Sequence, residues 1–268
     1  MASAKDIVIK PISAQAANAL VKRVHYSGKV VQNSSLHFGA FLNGKLEGAM
    51  SFGSPMDKKK ILPMVEGTQW NGMLELNRMA FSDVLPRNSE SRAMAVAFRL
   101  IKKHYPHIEW VLSFSDGTQC GDGTIYRASG FVLTQVKQNS SLYETPSGIP
   151  LARMTWDSAT PERRAILAKQ YGMSKFDSAS FLAKTAKMNG MKSLTGYQLR
   201  YIYFLNPEAR HRLTVPVLPF SKIDEMGAGM YKGKPKRLTE ANSGDQSESG
   251  GATPTQALQS SEGCNHAH

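Results

Sequence analysis

Cysteine is scarce in this sequence, and long apolar runs are missing from it. Only Cys120 and Cys264 occur among the 268 residues, too few for a disulfide framework. The opening MASAKDIVIK lacks the apolar stretch of a signal peptide, and no segment approaches the roughly 20 apolar residues that a transmembrane helix needs. We therefore expect a globular protein of a reducing compartment, the cytoplasm, with no role inside a membrane.

Acidic residues are also in short supply. The chain has 33 Lys and Arg against 21 Asp and Glu, a formal net charge of +12. Such an excess favours a polyanionic partner such as nucleic acid, although a basic surface also serves solubility. From Gly233 onward there are three basic and four acidic residues, so the excess belongs to residues 1–232. We predict residues 1–232 as the folded domain and residues 233–268, which are rich in Ser, Gly, Gln and Thr, as a disordered tail.

The periodicity of the folded part predicts alternating helices and strands. An amphipathic helix begins after Ser13 and stops by Gly28, and LHFGAFL and LEGAMSFG flank Asn43-Gly44-Lys45, a strong hairpin signal. Further strands are predicted at MLELNRMAF, IEWVLSFS, FVLTQVK and YQLRYIYFL, and further helices at SESRAMAVAFRLIKKHY and TIYRASG. This order predicts an α/β fold with a central sheet flanked by helices. Ligands then gather beyond the carboxyl ends of MLELNRMAF and IEWVLSFS.

A basic helical insertion is predicted at residues 157–197, before the last strand. Residues 157–200 contain eight basic and three acidic residues, a net charge of +5. This segment is the best candidate in the sequence for contacting phosphates, although a solvated basic helix surface would have the same composition.

Three short segments carry side chains suited to catalysis. His25-Tyr26 lies at the end of the first predicted helix, where packing at a helix end is the alternative role. Asp116, in SFSDG, follows a buried strand, but Asp-Gly is also ordinary turn chemistry. Tyr126 lies ten residues later in a short helix and can converge with Asp116 on one pocket. A tyrosine that fills the space between helix and sheet is at least as common.

A fourth segment, LNRMAFSDVLPRNSESRAMA, predicts an anion site where a strand, a loop and a helix N-terminus meet. Five of its side chains are suited to holding phosphates of a donor cofactor. They are Arg78, Arg87, Ser89, Ser91 and Arg92. The segment resembles the pyrophosphate-binding segment of the GNAT acetyltransferases, whose loop carries a Gln or Arg followed by two spaced glycines. Here Asn88-Ser89-Glu90-Ser91 contains no glycine, the residue that allows close backbone approach to phosphates.

Taken in order along the chain, these motifs resemble the Mom DNA-modification proteins of Mu-like bacteriophages. The resemblance covers roughly residues 15–230 and rests on VHYSGK, LELNRMAF, the SESRAMA helix start, SFSDGTQCGDGTIYRASGF and LPFSKIDEMGAGMYKGK. It implies a GNAT-like fold and a transferase that adds an acetamido-type (carbamoylmethyl) group to the exocyclic N6 amine of adenine. The modification protects phage DNA from restriction in the host cytoplasm. The implied partner is double-stranded DNA with a flipped adenine.

The resemblance implies an active site of four residues. They are His25, Tyr26, Asp116 and Tyr126. It also implies that Arg78 and Ser91 lie on the donor side. We expect Asp116 to contact the amine, His25 to accept its proton, and the tyrosines to stack on the base or donate to it. Six basic residues are predicted to contact DNA: Lys22, Arg23, Lys29, Lys184, Lys187 and Lys192.

The sequence leaves open which donor is used and whether a metal is bound. Acetyl transfer from acetyl-CoA would leave a simple amide, whereas the product of the family carries an additional nitrogen, so another acyl donor or a further reaction is needed. Fe(II), held by His25, Asp116 and a third ligand such as His37 or His104, is an option. A homodimer is suggested only by analogy.

Two other functions compete with this interpretation. One is a conventional GNAT N-acetyltransferase that uses acetyl-CoA on a small amine or a protein lysine, for which a glycine-bearing phosphate loop is expected. The other is a DNA-binding protein without catalytic activity. In that case Asp116 would be dispensable, because an acidic residue adds nothing favourable to phosphate attraction.

Overall fold

The computed structural model describes residues 2–25, 27–118, 121–231 and 234–235. Its main element is an eight-stranded sheet in the order β1-β2-β3-β4-β5-β8-β6-β7. The strands are β1 (Val8–Pro11), β2 (Ser34–Leu42), β3 (Lys45–Gly53), β4 (Met73–Phe81), β5 (Trp110–Asp116), β6 (Val132–Tyr143), β7 (Leu151–Ala152) and β8 (Ser193–Phe204). Strands β4 and β5 run parallel, whereas the other neighbouring pairs are antiparallel. The sheet is therefore mixed, with its one parallel pair at the centre.

Helices lie on both faces of this sheet. They are α1 (Ala14–Val24), α2 (Lys58–Ile61), α3 (Ser89–His104), α4 (Thr124–Ala128), α5 (Arg153–Asp157), α6 (Pro161–Gln170), α7 (Leu182–Met188) and α8 (Ser221–Glu225). Helix α3 packs its buried face into the largest apolar cluster, whereas α1 buries Ala17 and Leu20 against Ala49 in a separate one. The predicted fold class, a mixed sheet flanked by helices with a helical insertion, is confirmed. None of the helices in the described ranges is long and apolar enough to cross a bilayer.

The chain termini add two features that the periodicity did not predict. The four-residue strand β1 pairs with β2 at the edge of the sheet. Beyond β8, Met230–Tyr231 and Lys234–Pro235 pair as a separate two-stranded ladder, which overlaps the first residues of the predicted tail. Residues 236–268, which include Cys264 and His268, lie outside the described part of the chain.

Local sequence signals account for the first helix and the hairpin that follows it. The Ser13 hydroxyl accepts a hydrogen bond from the backbone N–H of Ala16 at 3.2 Å and so caps α1. Asn43 and Gly44 both have positive φ, 49° and 79°, as a two-residue turn between β2 and β3 requires. The helix itself ends at Val24, before the predicted stop at Gly28, because His25 is already extended with φ −73° and ψ 134°.

Strands β4 and β5 pair with each other only over their first three residues. They are paired only from Met73 to Glu75 on β4, against Trp110 to Leu112 on β5. Each strand continues past that point while it stays paired with its outer neighbour, β4 with β3 and β5 with β8. The sheet is therefore open between the carboxyl-terminal halves of its two central strands, at the position where ligands were expected.

A bulge in β4 changes which face of the sheet its later side chains occupy. Phe52 pairs with Leu76 and Ser51 pairs with Arg78, so Asn77 is an additional residue on β4. Alternation would put Arg78 on the same side as Leu74 and Leu76, which pack against α3. Beyond the bulge it is Met79 and Phe81 that join this apolar cluster, so Arg78 lies on the opposite face.

The segment between β6 and β8, residues 144–192, forms the insertion. It contains β7, α5, α6 and α7, and its helices begin at Arg153, four residues before the predicted start. Trp156, Leu167 and Leu182 belong to an apolar cluster of its own. Its folding therefore depends on contacts within the segment as well as on the β6–β7 pairing.

Arg164, which counted towards the basic charge of the insertion, is a structural residue. Its guanidinium is buried and donates hydrogen bonds to four backbone carbonyls. The acceptors are Trp156 O at 2.9 Å, Asp157 O at 3.0 Å, Ser178 O at 2.7 Å and Ser180 O at 3.2 Å. Arg200 is buried as well, against Thr134, so neither arginine is available to a phosphate.

Replacing Arg164 should loosen the insertion without unfolding the sheet. We expect Arg164→Ala to cost about 2–4 kcal/mol locally, because four buried or part-buried carbonyls lose their donor. Amide hydrogen exchange should accelerate in residues 153–188 and stay unchanged in β4 and β5. The exposed neighbour Arg163 provides the matched control, Arg163→Ala. Equal exchange in the two variants would contradict a structural role for Arg164.

Candidate active site

A cavity of about 490 Å³ lies at the opening between β4 and β5. One wall is polar and comes from the sheet and the segment after α1; its residues are Ser27, Lys29, Arg78 and Asp116. The other wall is mainly apolar and comes from β6 and the insertion; its residues are Leu142, Ile149, Pro150, Ala152, Met154, Thr155, Ser158 and Tyr171. The Lys29 ammonium donates to the Thr155 hydroxyl at 3.3 Å and so joins the two walls. This cavity brings together three residues predicted from separate motifs, Lys29, Arg78 and Asp116.

Arg78 is the central charge of the polar wall. Its Nε donates to the backbone carbonyl of Lys29 at 2.9 Å, and its Nη1 donates to that of Asn77 at 2.7 Å. Burial lowers the pKa of the Lys29 ammonium, and the nearby positive charge of Arg78 lowers it further. Arg78 therefore fixes the segment after α1 to β4 and at the same time makes the site electropositive.

His25 lies beside the cavity and is held by Ser27. The backbone N–H of Ser27 donates to the imidazole Nδ1 at 3.2 Å, and the Ser27 hydroxyl lies 2.8 Å from the same nitrogen. Burial, assisted by the charge of Arg78, lowers the pKa of His25 to about 4. The ring is therefore neutral near pH 7. Because Nδ1 accepts from Ser27, the proton of the neutral ring is on Nε2.

Asp116 is at the carboxyl end of β5 and lines the same cavity. Its Oδ1 accepts the backbone N–H of Thr118 at 2.9 Å, an arrangement typical of an aspartate-initiated turn. Asp116 therefore both initiates a turn and lines the cavity. The hydrogen bond to Thr118 orients the carboxylate at the end of the strand.

Glu75 is a titratable residue in this region that the sequence motifs did not single out. It is the last residue of β4 that pairs with β5, and it is half-buried. Burial raises the pKa of Glu75 to about 7, although a hydrogen bond with Asn77 and the charge of Arg78 both act in the opposite direction. A glutamate inside the otherwise apolar start of a strand was the sequence signal that pointed to it.

Of the two predicted tyrosines, the structure describes Tyr126. Tyr126 is buried, with 8% of its surface exposed, and packs in the main apolar cluster against Phe131 and Tyr201 at ring distances of 5.1 and 5.2 Å. It is absent from the lining of the cavity, so the space-filling alternative describes its packing. Tyr26 lies outside the described residues.

The N-terminus of α3 has the backbone of an anion site without a glycine. Asn88 precedes the helix with φ +70°, the left-handed conformation that glycine usually supplies, and its side chain does not cap the helix. Arg87 is exposed at this end. Two of the other predicted side chains have internal partners: the Ser89 hydroxyl donates to Pro86 O at 2.6 Å, and Arg92 donates to Lys5 O at 3.3 Å. Ser91 is half-buried in the first turn of α3. The backbone therefore fits an anion better than the serine and arginine side chains do.

The predicted DNA-contacting residues are on two surfaces. Lys22 and Arg23 are exposed on the last turn of α1. Lys187 and Lys192 are exposed on the insertion, where Lys184 is paired with Asp177 at 2.8 Å. Lys29 lines the cavity and donates to Thr155 of the insertion.

A metal centre receives no support from the described residues. Among them, no three His, Cys, Asp or Glu side chains are grouped closely enough to hold a metal ion. His37, one of the ligands considered, is buried and its Nδ1 lies 2.9 Å from the Ser51 hydroxyl. Within the described ranges, the Fe(II) site suggested by His25 and Asp116 therefore has no third ligand.

Comparison with known proteins gives one family. The model of the Mom protein family matches residues 6–222. A curated relative, named methylcarbamoylase mom and from Escherichia phage Mu, is 33% identical over 222 residues, which is 81% of this chain and 85% of the relative.

Solved acetyltransferase structures are more distantly similar. An IAA acetyltransferase from Bacillus cereus covers 74% of this chain and 99% of its own, with 12% identity and a TM-score of 0.37. The ribosomal-protein-S18-alanine N-acetyltransferase from Escherichia coli covers 75% and 94%, with 10% identity and a TM-score of 0.39. Similarities this low assign neither a ligand nor an activity.

The neutral state of His25 can be measured directly. Its imidazole should titrate by NMR with a midpoint at about 4, far below the ordinary value of 6.5. Arg78→Met should raise the midpoint only in part, because burial is the larger cause and Arg78 the smaller. The exposed Arg87 gives a control variant, Arg87→Met, that should leave it unchanged. A wild-type midpoint near 6.5 would contradict the buried, neutral ring.

Glu75 should make stability depend on pH. Its pKa rises from 4.5 to about 7 on folding, so the folded state binds this proton more tightly and loses stability as the pH rises through that range. Glu75→Gln removes this pH-dependent loss of stability, because the amide does not titrate. Relative to wild type, the variant should gain about 2 kcal/mol in free energy of unfolding between pH 5 and pH 8, measured with urea. Glu66→Gln, at an exposed position, should show no such gain, and a Glu75→Gln effect independent of pH would count against the raised pKa.

Proposed function

The chain belongs to the Mom protein family, and we propose that it is a transferase that modifies the exocyclic N6 amine of adenine in DNA. The name of the phage Mu relative, a methylcarbamoylase, gives group transfer as the reaction class. The group transferred would be of the acetamido (carbamoylmethyl) type, and the modified DNA would resist restriction. This family membership favours an enzyme over the two competing functions, a conventional N-acetyltransferase and a DNA-binding protein without catalysis.

The observation that carries the proposal is the cavity with unlike walls. A nucleobase has apolar faces and a polar edge, so it fits between the apolar wall around Tyr171 and the polar wall around Asp116. A volume of about 490 Å³ suits a base together with a small transferred group. An adenine paired in a duplex cannot reach such a cavity, so the base must leave the stack.

Asp116 is the proton acceptor in this proposal. As the N6 nitrogen forms its bond to the transferred carbon and the donor loses its leaving group, Asp116 takes one proton from the amine. His25, first expected to accept that proton, has Nδ1 engaged with Ser27 and its own proton on Nε2, so it acts as a hydrogen-bond donor. Arg78 and Lys29 stabilise the negative charge that develops opposite the amine.

The donor would bind with its anionic part at the N-terminus of α3. The uncapped first turn and the left-handed Asn88 fit phosphates such as those of acetyl-CoA or another acyl donor. When bound, such an acyl donor would supply the activated carbon that the amine attacks. The additional nitrogen of a carbamoylmethyl product still requires a donor other than acetyl-CoA or a second step.

Exposed basic residues on both sides of the cavity would hold the DNA backbone. Lys22 and Arg23 lie on α1, and Lys187 and Lys192 lie on the insertion. These charges would place the duplex across the cavity mouth without reading its sequence. Tyr26, next to His25 in the chain, stays a candidate for stacking on the base.

Expression in a bacterium, followed by mass spectrometry of plasmid nucleosides, tests this function. We expect a heavier adenosine, with one nitrogen more than an acetyl adduct would have. Asp116→Asn should reduce it by at least about 100-fold, because the amine loses its proton acceptor. DNA binding should survive in that variant, since Asp116 contributes no attraction to phosphate.

Asp83→Asn, at an exposed carboxylate, is the matched control and should modify DNA like the wild type. Unmodified adenine from well-expressed wild-type protein would refute the proposed function. Loss of DNA binding together with modification in Asp116→Asn would instead assign this residue to docking.

A further inference from the structure

Exposed large apolar side chains concentrate in the insertion. Thirteen such side chains are found among the described residues, and six of them lie between residues 149 and 188. They are Ile149, Met154, Ile166, Phe176, Phe181 and Met188. A group of exposed apolar side chains on one segment is typical of a contact surface.

Two of the six line the cavity. Ile149 is 51% exposed and Met154 is 58% exposed, on the wall opposite Arg78 and Asp116. Of the other residues of that wall, Leu142 and Tyr171 are buried, Ala152 and Thr155 are half-buried, and Pro150 and Ser158 are exposed but smaller. Ile149 and Met154 therefore extend from the cavity wall into solvent, and we call them the rim pair.

The backbone that carries the rim pair is firmly held. The Thr145 hydroxyl donates to the Ile149 carbonyl at 2.7 Å, and Gly148 N–H donates to Thr145 O at 2.8 Å. Met154 lies on α5, where the indole of buried Trp156 donates to Ser180 O at 3.0 Å. Side chains on such supports keep their position when they are pressed against another molecule.

We propose that the rim pair forms a wedge that enters the base stack of duplex DNA where an adenine has left it. The inference rests on the proposed function, because it assumes that the cavity receives that adenine. Extrusion of a base leaves an apolar gap and costs a few kcal/mol of stacking and pairing. Apolar side chains inserted between base steps compensate for this loss in other proteins that distort DNA.

The charges around the rim pair favour DNA over a protein partner. Thr155, next to Met154, accepts a hydrogen bond from the Lys29 ammonium. The insertion's Asp157 and Asp177 are both paired, with Arg153 at 2.9 Å and Lys184 at 2.8 Å. Its other two acidic residues, Glu144 and Glu162, are exposed but outnumbered by exposed lysines. Exposed Lys187 and Lys192 remain to attract phosphates.

Fluorescence of 2-aminopurine, placed at the target adenine of a duplex, tests the wedge without any donor. Binding of the wild-type chain should raise the emission several-fold as the base leaves the stack. Ile149→Ser with Met154→Ser should abolish most of this rise and weaken binding to the intact duplex by about tenfold, since compensation for the lost stacking disappears. Binding to a duplex with an abasic site opposite the target should fall less than about twofold, because extrusion is easier there.

Ile166→Ser is the matched control, because Ile166 is 56% exposed on α6 of the same insertion but does not line the cavity. Equal losses on both duplexes would make the rim pair a general contact and overturn the wedge. An undiminished emission rise would overturn it too, and reduced self-association in the variant would then assign the rim pair to contact between protein copies.

Failure of the proposed function can be distinguished from failure of the wedge. Wild-type protein that leaves plasmid adenine unmodified, but whose emission response depends on the rim pair, refutes the transferase function alone. Wild-type protein that modifies plasmid adenine, but whose emission response survives the rim substitutions, refutes the wedge alone.

Discussion

The site depends on the early end of pairing between β4 and β5. Both strands are held on their outer sides, by β3 and β8, so neither can close the gap that opens after Glu75 and Leu112. Backbone groups and side chains that a continuous sheet would bury become the walls of a cavity. Arg78 and Asp116 face that cavity because they lie on the two strands beyond the point of separation.

Charge then determines what the cavity can do. Arg78, fixed by the Lys29 and Asn77 carbonyls, lies close enough to lower the pKa values of His25 and Lys29. A neutral imidazole and an electropositive wall suit a reaction in which a neutral amine attacks and negative charge develops on the donor. The insertion adds the apolar wall. Because it has its own core and is organised by Arg164, it can present Ile149 and Met154 at fixed positions.

Most elements of the fold can be predicted from the sequence, because their signals are local. Ser13, Asn43-Gly44 and the spacing of apolar residues in α3 each act within a few residues of the chain. The face occupied by Arg78 cannot be predicted in this way, since it depends on a bulge at Asn77 and hence on pairing with β3. Likewise Tyr126 satisfies the motif but packs in the core. Most of the apolar wall, from Ile149 to Thr155, precedes the predicted basic insertion and carries no motif of its own. Glycine was expected for the anion site, and asparagine at position 88 supplies the same conformation.

The most direct test of the account is a crystal structure of the Asp116→Asn protein bound to a duplex that contains the target adenine. The account predicts the adenine outside the helix and inside the cavity, with its faces against the Tyr171 wall and its N6 amine beside residue 116. An adenine that stays stacked in the duplex, or that binds away from this cavity, would contradict it.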